Sequence, residues 1–118
     1  MLLRILKSKI HRATVTEANM NYMGSITIDR SLLEASGIYS GEIVNVFNIT
    51  NGNRFETYVI EGDNNKKQII VNGAAARLVQ PADKIIIISY GLIEQEKVTS
   101  FQPKIIILDD NNQIIKQE

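Results

Sequence analysis

The chain contains one glycine–serine pair, Gly24-Ser25. A serine hydroxyl can attack a carbonyl, and a glycine beside it leaves the approach open. Taken alone, the pair is an ordinary turn opening a strand. The usual helpers of a serine nucleophile are scarce. His11 is the sole histidine, so a Ser-His-Asp triad would have to draw on it, and no Gly-x-Ser-x-Gly elbow is present. The chain has neither a phosphate-binding loop nor a Gly-x-Gly-x-x-Gly fingerprint. Asp109-Asp110 are paired carboxylates, but turn-forming sequence surrounds them and they read as solvated. The absence of cysteine removes disulfides, thiolate nucleophiles and zinc sites of cysteine type, and one histidine cannot build a multi-histidine metal site. By residue type alone, Thr57 is a β-branched strand residue, and Lys9 and Arg54 are solvated charges.

These residues need a scaffold, and the composition supplies one. A chain of 118 residues suits a single domain, residues 1–118, and 44% hydrophobic residues provide material for a core. Thirteen basic and thirteen acidic residues cancel, so the electrostatic footprint of a nucleic-acid binder is missing. The first residues, Met1-Leu2-Leu3-Arg4-Ile5-Leu6-Lys7, lack the unbroken apolar stretch and small-residue cleavage site of a signal peptide. The longest apolar run, Ile85 to Ile88, is too short to cross a bilayer. The expectation is a soluble cytoplasmic protein with no membrane or nucleic-acid partner.

The elements expected to position the candidates are mostly strands. Residues 42–49 alternate so that Ile43, Asn45, Phe47 and Ile49 share a face. Thr50-Asn51-Gly52-Asn53 forms an Asn-Gly turn, and residues 54–60 return as the second arm of a hairpin. On that arm Arg54, Glu56, Tyr58 and Ile60 face one way and Phe55, Thr57 and Val59 the other. Further strands are expected over 3–9, 11–16, 25–28, 68–71, 84–89 and 104–108, with a short edge strand after Asp109-Asp110-Asn111-Asn112. Asp29 caps a short helix over 31–36 that Gly37 ends, and Asn72 to Leu78 reads as a strand end turning into one helical turn. Many short strands separated by turns point to a small closed β-barrel, because closure removes exposed edges.

Four short segments occur in order: Lys9-Ile10-His11-Arg12, Tyr22-Met23-Gly24-Ser25, residues 50–58 (Thr-Asn-Gly-Asn-Arg-Phe-Glu-Thr-Tyr), and Asn72-Gly73-Ala74-Ala75-Ala76. Together they closely resemble the pyruvoyl-dependent aspartate 1-decarboxylases of pantothenate biosynthesis. The resemblance spans residues 1–89 and continues weakly to Pro103. It implies a mainly β fold, a small six-stranded double-psi β-barrel with short helices, assembled as a homotetramer with sites between subunits. It also implies self-cleavage between Gly24 and Ser25 into chains 1–24 and 25–118.

In such proteins the serine hydroxyl attacks the preceding carbonyl and converts the amide to an ester. Elimination leaves dehydroalanine, and hydrolysis releases ammonia and leaves a covalent pyruvoyl group, here at Ser25, with no metal. Gly24, lacking Cβ, is expected to permit close attack and backbone strain. The pyruvoyl ketone forms a Schiff base with the amine of L-aspartate and accepts electrons as carbon dioxide leaves, giving β-alanine. By resemblance Thr57 donates to the glycine carbonyl and assists cleavage. Tyr58 returns a proton to the substrate carbon. Lys9 and Arg54 hold the substrate carboxylates, for which a lysine point charge and a planar arginine fork are suited. Thr57, Asn72, Gly73, Ala74 and Ala75 line the pyruvoyl and substrate pocket, and Tyr22 joins them. His11 is either a hydrogen-bonded structural residue or a helper in processing or binding.

Two departures accompany the resemblance. Phe47 stands where relatives often carry tryptophan, and the stretch from Lys104 matches weakly, which bears on the partner surface and on any maturation factor. A rival expectation keeps the same barrel as an unprocessed, non-catalytic binding module. It predicts an intact chain with no amine-reactive carbonyl.

Overall fold

The computed structural model describes residues 1–118. Nine strands follow in order: β1 (Leu2–Thr14), β2 (Glu17–Asn19), β3 (Ser25–Asp29), β4 (Ile43–Asn48), β5 (Arg54–Gly62), β6 (Ile69–Asn72), β7 (Lys84–Glu94), β8 (Lys104–Leu108) and β9 (Ile114–Gln117). One helix, α1 (Arg30–Ser36), and two short 3-10 turns, Gly73–Leu78 and Gln95–Ser100, complete the chain. No helix is long and apolar enough to cross a membrane.

The hydrogen-bonded order β2-β6-β3-β5-β4-β7-β1 begins and ends on one ribbon, because β1 runs into β2 through Val15 and Thr16. At this joint Val15 N–H donates to Asp83 C=O at 2.9 Å, beside β7, and Thr16 N–H to Ile69 C=O at 2.8 Å, on β6. The ribbon therefore closes a ring of six staves, a small barrel with short helices as expected. Its pairing is mixed: β3 runs parallel to β5 and β2 to β6, while β3–β6, β5–β4, β4–β7 and β7–β1 are antiparallel. Strands β8 and β9 extend the sheet outside the ring from β1.

Alternation places the core. Ile26 and Ile28 of β3, Val44 and Val46 of β4, Ile69 and Val71 of β6, and Ile85 and Ile87 of β7 are all fully buried. Burying one such side chain contributes about 1.5–3 kcal/mol, against about 0–1 kcal/mol for an exposed ion pair such as Arg30–Glu34. The barrel is held by its lining. One polar anchor sits at its end: the buried Asp29 carboxylate accepts from Ser31 N–H at 2.7 Å, Ser31 Oγ at 2.6 Å, Asn65 N–H at 3.2 Å and Lys67 N–H. Burial opposes its charge, but these donors outweigh it and hold the carboxyl below its ordinary pKa. The same carboxylate caps α1, and Gly37 ends that helix in the left-handed region, its N–H donating to Leu33 C=O at 2.9 Å.

The strands expected over 3–9 and 11–16 are one continuous strand. Instead of a break at Ile10, the register against β7 slips between Ile10 and Ala13, and Arg12 takes φ 62°. This is a bulge, which bends a strand without ending it. Strand β7 runs on to Glu94 because its outer half pairs with the first residues of β1. The hairpin turn is longer than a two-residue Asn-Gly turn. Only Gly52 has positive φ, and the Asn48 side chain accepts from Thr50 and Asn51 N–H. Strand β2 and the 3-10 turn at Gln95–Ser100 were not expected; both are short and mostly polar, with no periodic pattern to mark them. Of the carboxylates expected to be solvated, Asp110 is exposed and Asp109 is half-buried in the turn. Asp109 accepts from Asn111 and Gln113 N–H in the turn, and Asp110 pairs with Lys84 at 2.8 Å.

Candidate active site

Ser25 opens β3, where its Cα pairs with Asn72 at the end of β6. Residues paired across a sheet share a face, so Ser25 and Asn72 both project outward while Ile26, Val71 and Val59 fill the barrel. Ser25 is nevertheless fully buried. Its Oγ accepts from Asn72 Nδ2 at 3.0 Å and donates to Met23 C=O at 3.1 Å. Asn72 Nδ2 also reaches Thr27 Oγ1 at 3.1 Å, a partner with no motif to mark it. Asn72 occupies the N-cap position of the following 3-10 turn, yet its side chain makes no capping bond. A residue type suited to a helix end is turned instead onto the serine.

Gly24 and Gly73 meet behind the serine. Gly73 has φ 71°, and a Cβ there would lie 2.5 Å from Gly24 Cα and 2.6 Å from Gly24 N. Gly24 itself is not in the left-handed region, and a Cβ on it would meet nothing within 4 Å. The backbone strain expected at Gly24 is therefore not seen as a left-handed φ. The crowded position is Gly73, because the backbone there turns sharply out of β6 against the 22–24 segment. Past Gly73, Ala74 is exposed, Ala75 packs on the rim of the core, and Ala76 is buried.

The parallel ladder begins at Ile26 and Val59, which sets Ser25, the residue before it on β3, at the level of Tyr58. Tyr58 lies on the outward face with Ser25 and is about one-third exposed. Thr57 lies on the inward face and is half-buried. Thr57 and Tyr58 thus lie on opposite faces of β5, with Tyr58 on the same side as Ser25.

Lys9, His11 and Arg54 stand elsewhere. Across β1, β7, β4 and β5 the register aligns Lys9, Ile88, Asn45 and Glu56 in one row. Ile86, Phe47 and Arg54 form the adjoining row on the same outer face, with the His11–Arg12 bulge at its end. The Arg54 guanidinium lies over the Phe47 ring, 4.6 Å from its centroid, so Phe47 holds the cation in place. Their pairing follows from the observed hairpin register, in which the turn takes up 48–53. His11 Nδ1 is shielded from solvent with no hydrogen-bond partner. Desolvation, then the Lys9 and Arg12 charges, lower the His11 pKa from its ordinary value.

No hydrogen bond or ion pair joins these cations to the serine. Arg54 is four residues from the level of Ser25, about 13 Å along β5. Lys9 is separated from β5 by two strands, roughly 14 Å across the sheet. The structure gathers Tyr22, Gly24, Ser25, Asn72 and Gly73, with Thr57 and Tyr58 alongside, and keeps Lys9, His11 and Arg54 apart from them. A cavity of about 350 Å³ adjoins Asn72, Tyr22 and Thr27, but Glu17, Glu61 and Asp63 also line it. Three carboxylates make it a poor receptor for a dianion.

The whole chain resembles known proteins. Residues 1–115 match the family model described as aspartate decarboxylase. An aspartate 1-decarboxylase of Caldicellulosiruptor saccharolyticus is 60% identical over 116 residues, covering 98% of this chain and 91% of that protein. Those of Acetivibrio thermocellus and Bacillus cereus strain B4264 are 56% and 55% identical, with the same two coverages. The match reaches past Lys104 through β8, so the weak C-terminal resemblance expected from short segments is corrected: it extends nearly to the end.

Proposed function

The chain belongs to the aspartate decarboxylase family, and from that premise we propose that it converts L-aspartate to β-alanine and carbon dioxide with a pyruvoyl group made from its own Ser25. The observation that carries the proposal is the buried Ser25 hydroxyl, held by Asn72 at 3.0 Å beside a Gly24 backbone seated on Gly73. Such a serine does not serve solubility, and its neighbours control both atoms of the peptide that must react.

The residues around position 25 fit the group. Asn72 Nδ2 is a donor held against residue 25. The ketone oxygen would stand on Cα in place of the amide nitrogen, one atom from the Oγ site that leaves with Gly24, and Asn72 would turn its bond to it there. The Ser25–Asn72 pairing holds the start of β3 whether or not the chain is cut before it. A pyruvoyl ketone there would condense with the substrate amine and draw electrons from the carboxylate that leaves. Cleavage itself falls to the chain's own atoms. Oγ adds to the Gly24 carbonyl carbon, the C–N bond breaks, and the hydroxyl proton ends on the freed amine of Ser25. Loss of the Cα proton expels Gly24 as a carboxylate, and water then replaces ammonia at the remaining carbon. By the family resemblance, Thr57 is the residue assigned to steady the Gly24 carbonyl oxygen.

Aspartate brings two carboxylates, which Lys9 and Arg54 are assigned to hold. Tyr58, outward and level with Ser25, is assigned the proton returned to the substrate carbon. Because Arg54 stands about 13 Å along β5 from the level of the serine, and Lys9 roughly 14 Å across the sheet from β5 itself, the proposal includes assembly. The outer face of one copy, bearing Lys9, Arg54, Phe47, Ile86 and Ile88, covers the Ser25 centre of a neighbour in a homotetramer. That arrangement is also what the partly exposed apolar side chains on this face would be for. The setting belonging to this reading is the cytoplasm, which asks for no disulfides, and the chain has no cysteine. The product would feed pantothenate synthesis.

The test is turnover with a chemical trap. Purified protein given L-aspartate should release β-alanine, and borohydride added during turnover should leave an aspartate-derived adduct on the 25–118 fragment. β-Alanine without a trappable carbonyl would refute the pyruvoyl group. An intact chain with neither product nor adduct would favour the binding-module rival.

A further inference from the structure

We infer that Gly73 is a positioning residue for the self-cleavage step, acting as the wall against which Gly24 is set for attack. This inference rests on the self-cleavage reading and adds a residue to it. The Gly73 Cβ position is occupied by the scissile segment: 2.5 Å to Gly24 Cα, 2.6 Å to Gly24 N and 3.2 Å to Tyr22 O. All three are backbone atoms, so no side chain can swing aside to make room. Asn72, the preceding residue, holds Ser25 Oγ from the other direction. Consecutive residues thus fix the two reacting partners: Asn72 the attacking oxygen and Gly73 the residue whose carbonyl is attacked.

The contact has a chemical consequence. Attack requires Oγ to approach the Gly24 carbonyl carbon along a narrow path, and a misplacement near 1 Å can cost roughly a hundredfold in rate. A methyl on Gly73 would have to push Gly24 away by about that distance to restore ordinary contact, while Asn72 keeps the hydroxyl where it is. The Gly24 acyl carbon would leave the oxygen's reach. The barrel wall would be spared, since Gly73 lies past the end of β6 and the nearest atoms to its Cβ position all belong to the 22–24 segment.

Left-handed strain must be separated from this contact, and the chain contains the control. Gly52 has φ 80° with nothing within 4 Å of its Cβ position. Gly52→Ala therefore pays the same backbone penalty without touching the bond. Freshly translated wild type, Gly73→Ala and Gly52→Ala would be followed by intact mass, with and without hydroxylamine. Hydroxylamine intercepts the ester: its nitrogen takes the Gly24 acyl group, and Ser25 keeps its hydroxyl and amine. Gly73→Ala should cut roughly a hundredfold more slowly and yield almost no Gly24 hydroxamate, while Gly52→Ala matches wild type in both. The uncleavable pair Ser25→Ala and Ser25→Ala/Gly73→Ala should both melt cooperatively as folded barrels.

Gly73→Ala cutting at the wild-type rate would overturn the inference, as would equal slowing by Gly52→Ala. Collapse of the Ser25→Ala/Gly73→Ala barrel would make Gly73 a residue of the fold and overturn it too. In each of these cases wild type still cuts. An uncut wild-type chain would instead overturn the self-cleavage reading.

Discussion

Two regions of this barrel carry its candidate chemistry, and they are built differently. Around Ser25 everything is close: Oγ lies 3.0 Å from Asn72 Nδ2, and Gly24 is packed backbone to backbone on Gly73. On the outer face of β1, β7, β4 and β5, the cations Lys9 and Arg54 stand on open sheet, with Phe47 beneath the guanidinium. The first region is complete within one chain and suits a reaction of the chain upon itself. The second has charge and apolar surface but no reacting atom, and suits a reaction that another copy completes. Self-processing and decarboxylation should therefore separate by mutation.

Arg54→Ala is the sharpest way to break that comparison. It should leave cleavage at the wild-type rate, because no bond joins Arg54 to the Ser25 centre. Losing a charge-assisted grip on a carboxylate costs about 1.5–3 kcal/mol, so kcat/KM for aspartate should fall roughly 10- to 100-fold. Intact mass and steady-state turnover on the same sample decide it. An Arg54→Ala chain that fails to cut would mean the two regions are one site.

A smaller effect concerns the charge of the outer face. With one histidine in the chain, an NMR pH titration reads His11 without ambiguity. Its midpoint should fall below 6.5, from desolvation first and the Lys9 and Arg12 charges next. Lys9→Ala should raise the midpoint only partway, because desolvation remains. The sign for stability follows from a folded value below the unfolded one. The contribution of neutral His11 is present above the unfolded pKa and is lost as pH falls through the folded pKa. A midpoint at or above 6.5 would show that a partner or solvent reaches Nδ1, and the description of this face would need rebuilding.

Much of the closed region was legible before any coordinates. Elsewhere the Asp29 cap and Gly37 stop are readable because caps are local chemistry, whereas a turn over 50–53 would set Arg54 opposite Ile49 and the structure sets it opposite Phe47. Alternation on β5 correctly sent Thr57 and Tyr58 to opposite faces. What could not be read is what sequence-distant segments do to each other. Gly24 drew attention by its place before Ser25, whereas the glycine whose missing Cβ matters is Gly73, 49 positions later and adjacent only through the fold. The resemblance sets Asn72 in the pocket beside residue 25, and its side chain does reach Ser25, but nothing in the sequence marks that it also reaches Thr27 and leaves the helix end uncapped. The bulge at His11–Arg12 was taken for a break at Ile10, since a register slip leaves the hydrophobic pattern nearly as a gap would.

The central claim is that Ser25 is both the agent and the product of a cut, and the mass of the purified chain tests it most directly. The account predicts two fragments from wild type: residues 1–24 ending in a carboxylate, and residues 25–118 lighter by one ammonia than a serine-ended chain. Ser25→Ala should remain a single chain of 118 residues that makes no β-alanine. A Ser25→Ala protein that still decarboxylated aspartate would contradict the account outright.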